Sequence, residues 1–136
     1  MEITYQVVKD DYVNAGKVSS QIKKLLKELK IDANILRKIA VASYEAEINM
    51  IIHAYGGRIT MIINSDNILI EFVDEGPGIT DIKQAMVKGY STANAKARAM
   101  GFGAGMGLYN MQRLASVFSI TSKKSGTIIK MRFDLS

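Results

Sequence analysis

The chain has 136 residues, 48% of them hydrophobic and 23% charged, with a formal net charge of +5. This composition is typical of a globular protein, and the length predicts a single domain over residues 1–136. The lack of cysteine excludes disulfides and thiolate sites, one histidine argues against a His-based metal site, and no apolar run approaches the ~20 residues of a membrane span. Because no secretory signal is visible, we expect a cytoplasmic protein without membrane contact.

Hydrophobic spacing predicts a strand and two helices in the first half of the chain. The run Ile3–Val8 is typical of a strand, and apolar residues recur at helical spacing from Val13 to Leu29, with lysines opposite them. Asp32 is a candidate N-cap for a second helix from about Ala33 to Ala54, which Gly56-Gly57 would end.

The second half predicts two hairpins, two shorter helices and a long connection. The hairpin strands are Arg58–Ile63 with Asn67–Val73, and Val117–Ser122 with Thr127–Leu135. Helices are predicted over Ile79–Lys88 and Met106–Ser116, and the Gly-, Ala- and Ser-rich segment at about 89–105 is long enough to be a lid. This order predicts an α+β two-layer sandwich, with a mixed, mostly antiparallel sheet covered on one face by helices.

The charge is unevenly distributed along the chain, because no Asp or Glu occurs between Ile82 and Phe133. A basic half of this kind suits an acidic protein partner, a bound polyphosphate or a nucleic acid. Nucleic-acid binding is the least favoured of the three, because no recognition helix or aromatic-rich basic strand supports it.

The turn Asp74-Glu75-Gly76-Pro77-Gly78 follows a predicted strand. Its glycines can adopt a positive φ and let a ligand approach the backbone closely, and the proline between them stiffens the turn. A carboxylate at the end of a strand can accept a hydrogen bond from an exocyclic amine. Most such glycine turns are only turns, so the pattern gains its meaning from the rest of the chain.

Glu45 and Asn49 lie four residues apart in the second predicted helix, and therefore on one face of it. The amide oxygen of Asn49 is a suitable ligand for Mg²⁺, and Glu45 could orient or deprotonate an attacking hydroxyl or water. Pairs of this kind are usually solvated, but the apolar neighbours Ala42, Ala46 and Ile48 indicate a mostly buried helix.

Alternating glycines occupy the run from Gly101 to Leu108, directly before the last predicted helix. Successive backbone N–H groups in such a run can bind phosphate oxygens, helped by the helix N-terminus. Neither a dinucleotide-binding GxGxxG pattern nor a Walker P-loop fits the spacing. A flexible hinge is the alternative, and it is compatible with a lid over phosphates.

Taken in order, Glu45-x-x-x-Asn49, Asp74-x-Gly76-x-Gly78 and Gly105-x-Gly107-Leu108 resemble the N, G1 and G2 boxes of the GHKL ATP-binding fold, also called the Bergerat fold, of gyrase, Hsp90, histidine kinases and MutL. The helix over residues 43–55 resembles the anti-sigma factor and serine-protein kinase branch, whose members are RsbW-like or RsbT-like. The run over residues 74–92 is particularly similar to RsbT.

This resemblance implies an ATP-binding anti-sigma regulatory factor that acts as a serine/threonine protein kinase on a STAS-type anti-sigma antagonist, with ATP and Mg²⁺ as cofactors. The alternative is a catalytically weak, nucleotide-gated partner switch that binds a sigma factor or a phosphatase. Neither implies direct contact with nucleic acid, and both are compatible with a homodimer.

The resemblance also implies roles for individual residues. Glu45 would be the base that activates the acceptor hydroxyl, and Asn49 would hold Mg²⁺ across the phosphates. Asp74 would bind the adenine amine, with Thr127 in support through water. One of two lid cations could neutralise charge on the transferred phosphoryl group. The remaining ATP-binding positions are Gly76, Gly78, Lys96, Arg98, Gly103, Gly105, Met106, Gly107 and Leu108.

Overall fold

The computed structural model describes residues 1–53, 56–76 and 107–135. Within these ranges, five strands form one sheet in the order β1-β2-β3-β5-β4, and every ladder between neighbours is antiparallel. The strands are β1 (Glu2–Val7), β2 (Gly57–Ile63), β3 (Asn67–Asp74), β4 (Val117–Lys123) and β5 (Gly126–Asp134). The two predicted hairpins are therefore confirmed as β2–β3 and β4–β5.

Three α-helices occur in the same described ranges: α1 (Lys17–Glu28), α2 (Ala33–His53) and α3 (Gly107–Leu114). Burial alternates along β5, where Thr127, Ile129, Met131 and Phe133 are buried and the residues between them are exposed. The core lies between the buried face of the sheet and the helices. This arrangement confirms the predicted α+β sandwich with helices on one face.

Helix α1 begins later than its apolar spacing predicts. A 3₁₀ turn occupies Tyr12–Asn14, and Gly16 has a left-handed backbone conformation with φ 91°. A left-handed residue cannot continue a right-handed helix, so α1 begins at Lys17 instead of Val13. Periodicity alone did not reveal this interruption.

Helix α2 begins where its predicted cap places it. The Asp32 carboxylate accepts hydrogen bonds from the backbone N–H groups of Asn34 at 3.1 Å and Ile35 at 3.2 Å. Ile39 and Ala42 are fully buried, and α2 packs against both α1 and α3. One flank of α2 therefore faces α1 and the other faces α3, and different side chains of α2 point towards each of these helices.

Two predicted elements lie outside the described ranges: the helix over Ile79–Lys88 and the lid at about 89–105. The final predicted helix, Met106–Ser116, is observed from Gly107 to Leu114. In the described parts of the chain, no helix is long and apolar enough to span a membrane.

Candidate functional site

Asp74 is the last residue of β3, and its carboxylate is held by two backbone groups. Its Oδ1 atom accepts hydrogen bonds from the N–H of Gly76 at 3.0 Å and from the N–H of Thr127 at 2.8 Å. No hydrogen bond from the described ranges reaches Oδ2. The carboxylate is therefore fixed in direction by one oxygen, and the other oxygen can accept a hydrogen bond from a ligand.

The close approach of β5 to Asp74 depends on Gly126. Its φ is 149°, and a Cβ atom there would lie 2.2 Å from the carbonyl oxygen of Asp74. No other residue type would let the first residue of β5 pass so near the end of β3. The next residue, Thr127, is buried, and its hydroxyl lies 2.8 Å from that of Ser122.

Glu45 and Asn49 meet the first residue of α3. A Cβ atom on Gly107 would lie 3.2 Å from Oε2 of Glu45, 3.1 Å from Nδ2 of Asn49 and 3.3 Å from its Oδ1. The side chains of both residues are partly buried. The structure thus brings together a carboxylate, a carboxamide and the N-terminus of a helix, where unpaired N–H groups favour anions.

Asn110 affects the ionisation of Glu45, a link that the sequence analysis did not identify. Burial raises the pKa of Glu45, and the hydrogen bond from Asn110 lowers it by less, so the pKa lies above its ordinary value. A partly buried carboxyl with a raised pKa is suited to proton transfer.

The two parts of the site are linked through Gly57. This residue pairs with Asp74 across the β2–β3 ladder, and a Cβ atom on it would lie 2.7 Å from the terminal methyl group of Met50. Met50 directly follows Asn49 in α2. The C-terminal half of α2 therefore packs over the end of the sheet at which Asp74 lies.

Glu47, two residues after Glu45, has no place in this site. It is only 2% exposed, and its carboxylate accepts hydrogen bonds from the N–H groups of Val18 at 3.2 Å and Ser19 at 3.0 Å. Helix α1 has no side-chain cap of its own at Gly16, so Glu47 caps it from the neighbouring helix. A separate cleft of about 410 Å³ lies on this side, between β1 and α1, and its lining includes none of the predicted site residues that the structure describes.

Part of the basic charge in the second half of the chain is offset by acidic residues. The Nζ atom of Lys130 lies 3.7 Å from a carboxylate oxygen of Glu71, and Nε of Arg132 lies 3.0 Å from Oδ1 of Asp134. Lys130, Arg132 and Asp134 are exposed on the sheet, and Glu71 is partly exposed. Charge density along the sequence therefore overstates the positive charge of the sheet surface.

Of the predicted site residues, the structure brings Glu45 and Asn49 against Gly107, and it brings Asp74, Gly76 and Thr127 together. Leu108, in the first turn of α3, is buried in the core rather than open to a ligand through its side chain. The other predicted positions lie outside the described residues: Gly78, Lys96, Arg98, Gly103, Gly105 and Met106.

Asn110 and Glu47 were missed because their roles depend on contacts between distant segments. Asn110 follows Gly107 by three residues, so the helical period would have placed both on one face of α3. That signal does not say which helix the face meets. For Glu47, a glutamate in an apolar stretch of α2 was the only hint.

Comparison with known proteins gives one family and several relatives. The family model described as a histidine kinase-like ATPase domain matches residues 8–133. The anti-sigma F factor of Thermoanaerobacter sp. (strain X514) is 36% identical over 99 residues, which is 68% of this chain and 66%, just under two thirds, of that protein. The anti-sigma F factor of Clostridium beijerinckii (strain ATCC 51743 / NCIMB 8052) is 32% identical over 109 residues, covering 74% of this chain and 73% of that protein.

Among solved structures, the RsbU and RsbW domains of Rv1364c from Mycobacterium tuberculosis resemble this chain with a TM-score of 0.65. The sequence identity is 19%, and the match covers 98% of this chain and 32% of that one. At this identity the likeness shows the fold alone.

Proposed function

The chain belongs to the family of histidine kinase-like ATPase domains, and we propose that it is an ATP-binding anti-sigma regulatory factor that phosphorylates a serine or threonine of a STAS-type antagonist protein. The observation that carries the proposal is the meeting of Glu45, Asn49 and the first residue of α3 at Gly107. The similarity to anti-sigma F factors supports the class of partner.

Asp74 is proposed to bind the adenine. Its Oδ1 atom is engaged by two backbone N–H groups, so Oδ2 is held in place to accept a hydrogen bond from the exocyclic amine. Thr127 lies beside it and would support the same ligand through water. The residues present therefore fit a flat base that carries an amine donor.

The phosphates are proposed to lie between Asn49 and the first turn of α3. The N–H groups of Gly107 and Leu108 begin a helix, where they favour negative charge. The amide oxygen of Asn49 is a hard ligand of the kind that Mg²⁺ prefers. Bound ATP would supply the phosphoryl group, and Mg²⁺ would neutralise charge on the phosphates.

Glu45 is the proposed general base. Its carboxylate would accept the proton of the acceptor hydroxyl as the hydroxyl oxygen bonds to phosphorus, and ADP would leave. Gly107 allows this, because any side chain at that position would crowd the carboxylate. The proposal also includes six ATP-binding positions that rest on the sequence alone: Gly78, Lys96, Arg98, Gly103, Gly105 and Met106. Lys96 and Arg98 are the two candidate lid cations.

The test is phosphoryl transfer from labelled ATP, with Mg²⁺, to a purified STAS-type antagonist encoded beside this chain. We expect Glu45→Gln to lower the transfer rate by about 10²–10⁴-fold while ATP affinity is kept, because only the proton acceptor is lost. Glu71→Gln, at a partly exposed glutamate on β3, is the matched control and should transfer normally.

A wild type that transfers nothing, while its complex with the partner depends on ATP or ADP, would contradict the kinase assignment. That result would support the nucleotide-gated partner switch in its place. Equal transfer by wild type and Glu45→Gln would remove Glu45 as the base.

Nucleotide binding has its own test at Asp74. Asp74→Asn keeps one oxygen for the two backbone N–H groups but turns the other into a donor, which faces the donor amine of adenine. We expect ATP affinity, measured by calorimetry, to fall about 10- to 100-fold. Asp66→Asn, in the exposed β2–β3 turn, is the control, and unchanged affinity in Asp74→Asn would refute the adenine assignment.

A further inference from the structure

Ser122 and Thr127 face each other across the β4–β5 ladder, at the end of the sheet where Asp74 lies. Oγ of Ser122 lies 2.8 Å from Oγ1 of Thr127, the usual separation of two hydrogen-bonded hydroxyls. Thr127 is only 4% exposed, and its backbone N–H donates to Oδ1 of Asp74 at 2.8 Å. The Thr127 hydroxyl therefore has a fixed partner in Ser122 and lies next to the carboxylate that is proposed to bind adenine.

The strand itself does not require a serine at position 122. Phe118, Ile120 and Ser122 alternate along the partly buried face of β4, and the first two are apolar, as such a row favours. A β-branched apolar residue would continue this row. Serine instead places a hydroxyl against that of Thr127, a contact that an apolar side chain could not make.

We propose that Ser122 is a positioning residue that makes the site selective for adenine: its hydroxyl donates to Oγ1 of Thr127 and so leaves the Thr127 hydrogen to point towards the base. This inference rests on the proposed binding of adenine by Asp74. A hydroxyl has one hydrogen and two lone pairs, so the direction of the Ser122–Thr127 hydrogen bond decides whether Thr127 offers the ligand a donor or only an acceptor.

The two purines need opposite directions of this hydrogen bond. Adenine has an amine donor next to a ring nitrogen that accepts, whereas guanine has an oxygen that accepts next to a ring N–H that donates. A water that donates one hydrogen to Oδ2 of Asp74 and the other to the adenine ring nitrogen must accept from Thr127. It can do so only if the Thr127 hydrogen is not donated to Ser122, and donation by Ser122 therefore favours adenine.

The test is calorimetric titration of the full chain, with Mg²⁺ and without a partner protein, against three nucleotides. These are ATP, GTP and the 1-deaza analogue of ATP, in which a C–H group replaces the accepting ring nitrogen. We expect Ser122→Ala to lower ATP affinity about 3- to 10-fold but to leave the affinity for the analogue unchanged, because the analogue offers the water no acceptor. The preference for ATP over GTP should fall, since the Thr127 hydroxyl can then turn and accept.

Three further variants separate direction of the hydroxyl from a general effect on the strand. Ser119→Ala, on the exposed face of β4, is the matched control and should bind all three nucleotides as the wild type does. Ser122→Thr keeps the hydroxyl and should retain the preference for ATP. In a Thr127→Val background, Ser122→Ala should add nothing, because the hydroxyl that it directs is already absent.

Unchanged ATP affinity in Ser122→Ala would overturn the inference. Equal losses for ATP and its 1-deaza analogue would show a structural effect only and would also overturn it, as would additive losses in the double variant. A wild type that binds ATP but transfers no phosphoryl group would refute the kinase assignment and leave this inference standing. A wild type that binds no ATP would refute the nucleotide site and the role of Ser122 together.

Discussion

Glu45 and Glu47 are separated by one residue of α2, yet they face different neighbours. At about 100° of rotation per residue, two residues turn a side chain to the opposite flank of a helix. Glu45 faces α3 and is partly buried beside Asn110, whereas Glu47 faces α1, is 2% exposed and accepts hydrogen bonds from two backbone N–H groups.

The comparison teaches that burial of a carboxylate does not by itself indicate chemistry. Glu47 is the more buried of the two, but both of its oxygens are engaged by α1, and it stabilises the fold. Glu45 lies at the edge of the proposed site, and burial keeps its pKa raised. The group with fewer partners is the one that is left able to react.

The largest expected effect concerns the α1 flank. Glu47→Ala would leave the buried N–H groups of Val18 and Ser19 without an acceptor, so we expect the free energy of unfolding to fall by about 2–4 kcal/mol. Urea unfolding measures this change. Glu45→Ala is the matched control and should cost much less; equal losses would break the contrast between the two residues.

Substitutions of the glycines beside α1 and α3 should show the same contrast between stability and activity, with a smaller change in stability. Gly16, directly before α1, has a left-handed backbone conformation with φ 91°. Gly16→Ala would force an alanine into that conformation and should lower the free energy of unfolding by about 1–2 kcal/mol. Gly107→Ala, at α3, should leave stability nearly unchanged, because alanine favours the helix, but should lower transfer by crowding Glu45 and Asn49.

Unfolding curves and transfer rates measured on both glycine variants check this pair. A Gly107→Ala variant that transfers normally would contradict the close meeting of α2 and α3. A Gly16→Ala variant as stable as the wild type would contradict the left-handed conformation at Gly16.

The smallest expected effect is a dependence of stability on pH. Because the pKa of Glu45 is raised in the folded chain, folding favours its protonated form, and its ionisation lowers stability as pH rises through that pKa. Glu45→Gln should therefore be more stable than the wild type at neutral pH. The gain should shrink as pH falls and vanish below the ordinary pKa of a glutamate.

Urea unfolding of both proteins from neutral to acidic pH measures this difference. A Glu45→Gln variant that is less stable than the wild type at neutral pH, with a gap that widens as pH rises, would show that the folded state favours the ionised form instead.

Local patterns in the sequence determined the elements and the family. Apolar spacing and the Asp32 cap predicted α2, alternating apolar residues predicted both hairpins, and the i, i+4 spacing placed Glu45 and Asn49 on one face. The motifs around Glu45, Asp74 and Gly107 resemble the GHKL fold, and the runs over residues 43–55 and 74–92 resemble its anti-sigma branch; the family model and the similarity to anti-sigma F factors confirm both resemblances. The elements follow from the chemistry of neighbouring residues, and the family follows from the resemblance of its motifs.

Only the tertiary structure decided which glutamate of α2 meets which helix. The contacts from Glu47 to Val18 and Ser19 and from Thr127 to Asp74 join segments that are distant in the sequence. Helical periodicity predicts that two side chains face opposite ways, but not what lies on either side. The packing of α1 and α3 against the two flanks of α2 therefore separated a structural carboxylate from the proposed catalytic one.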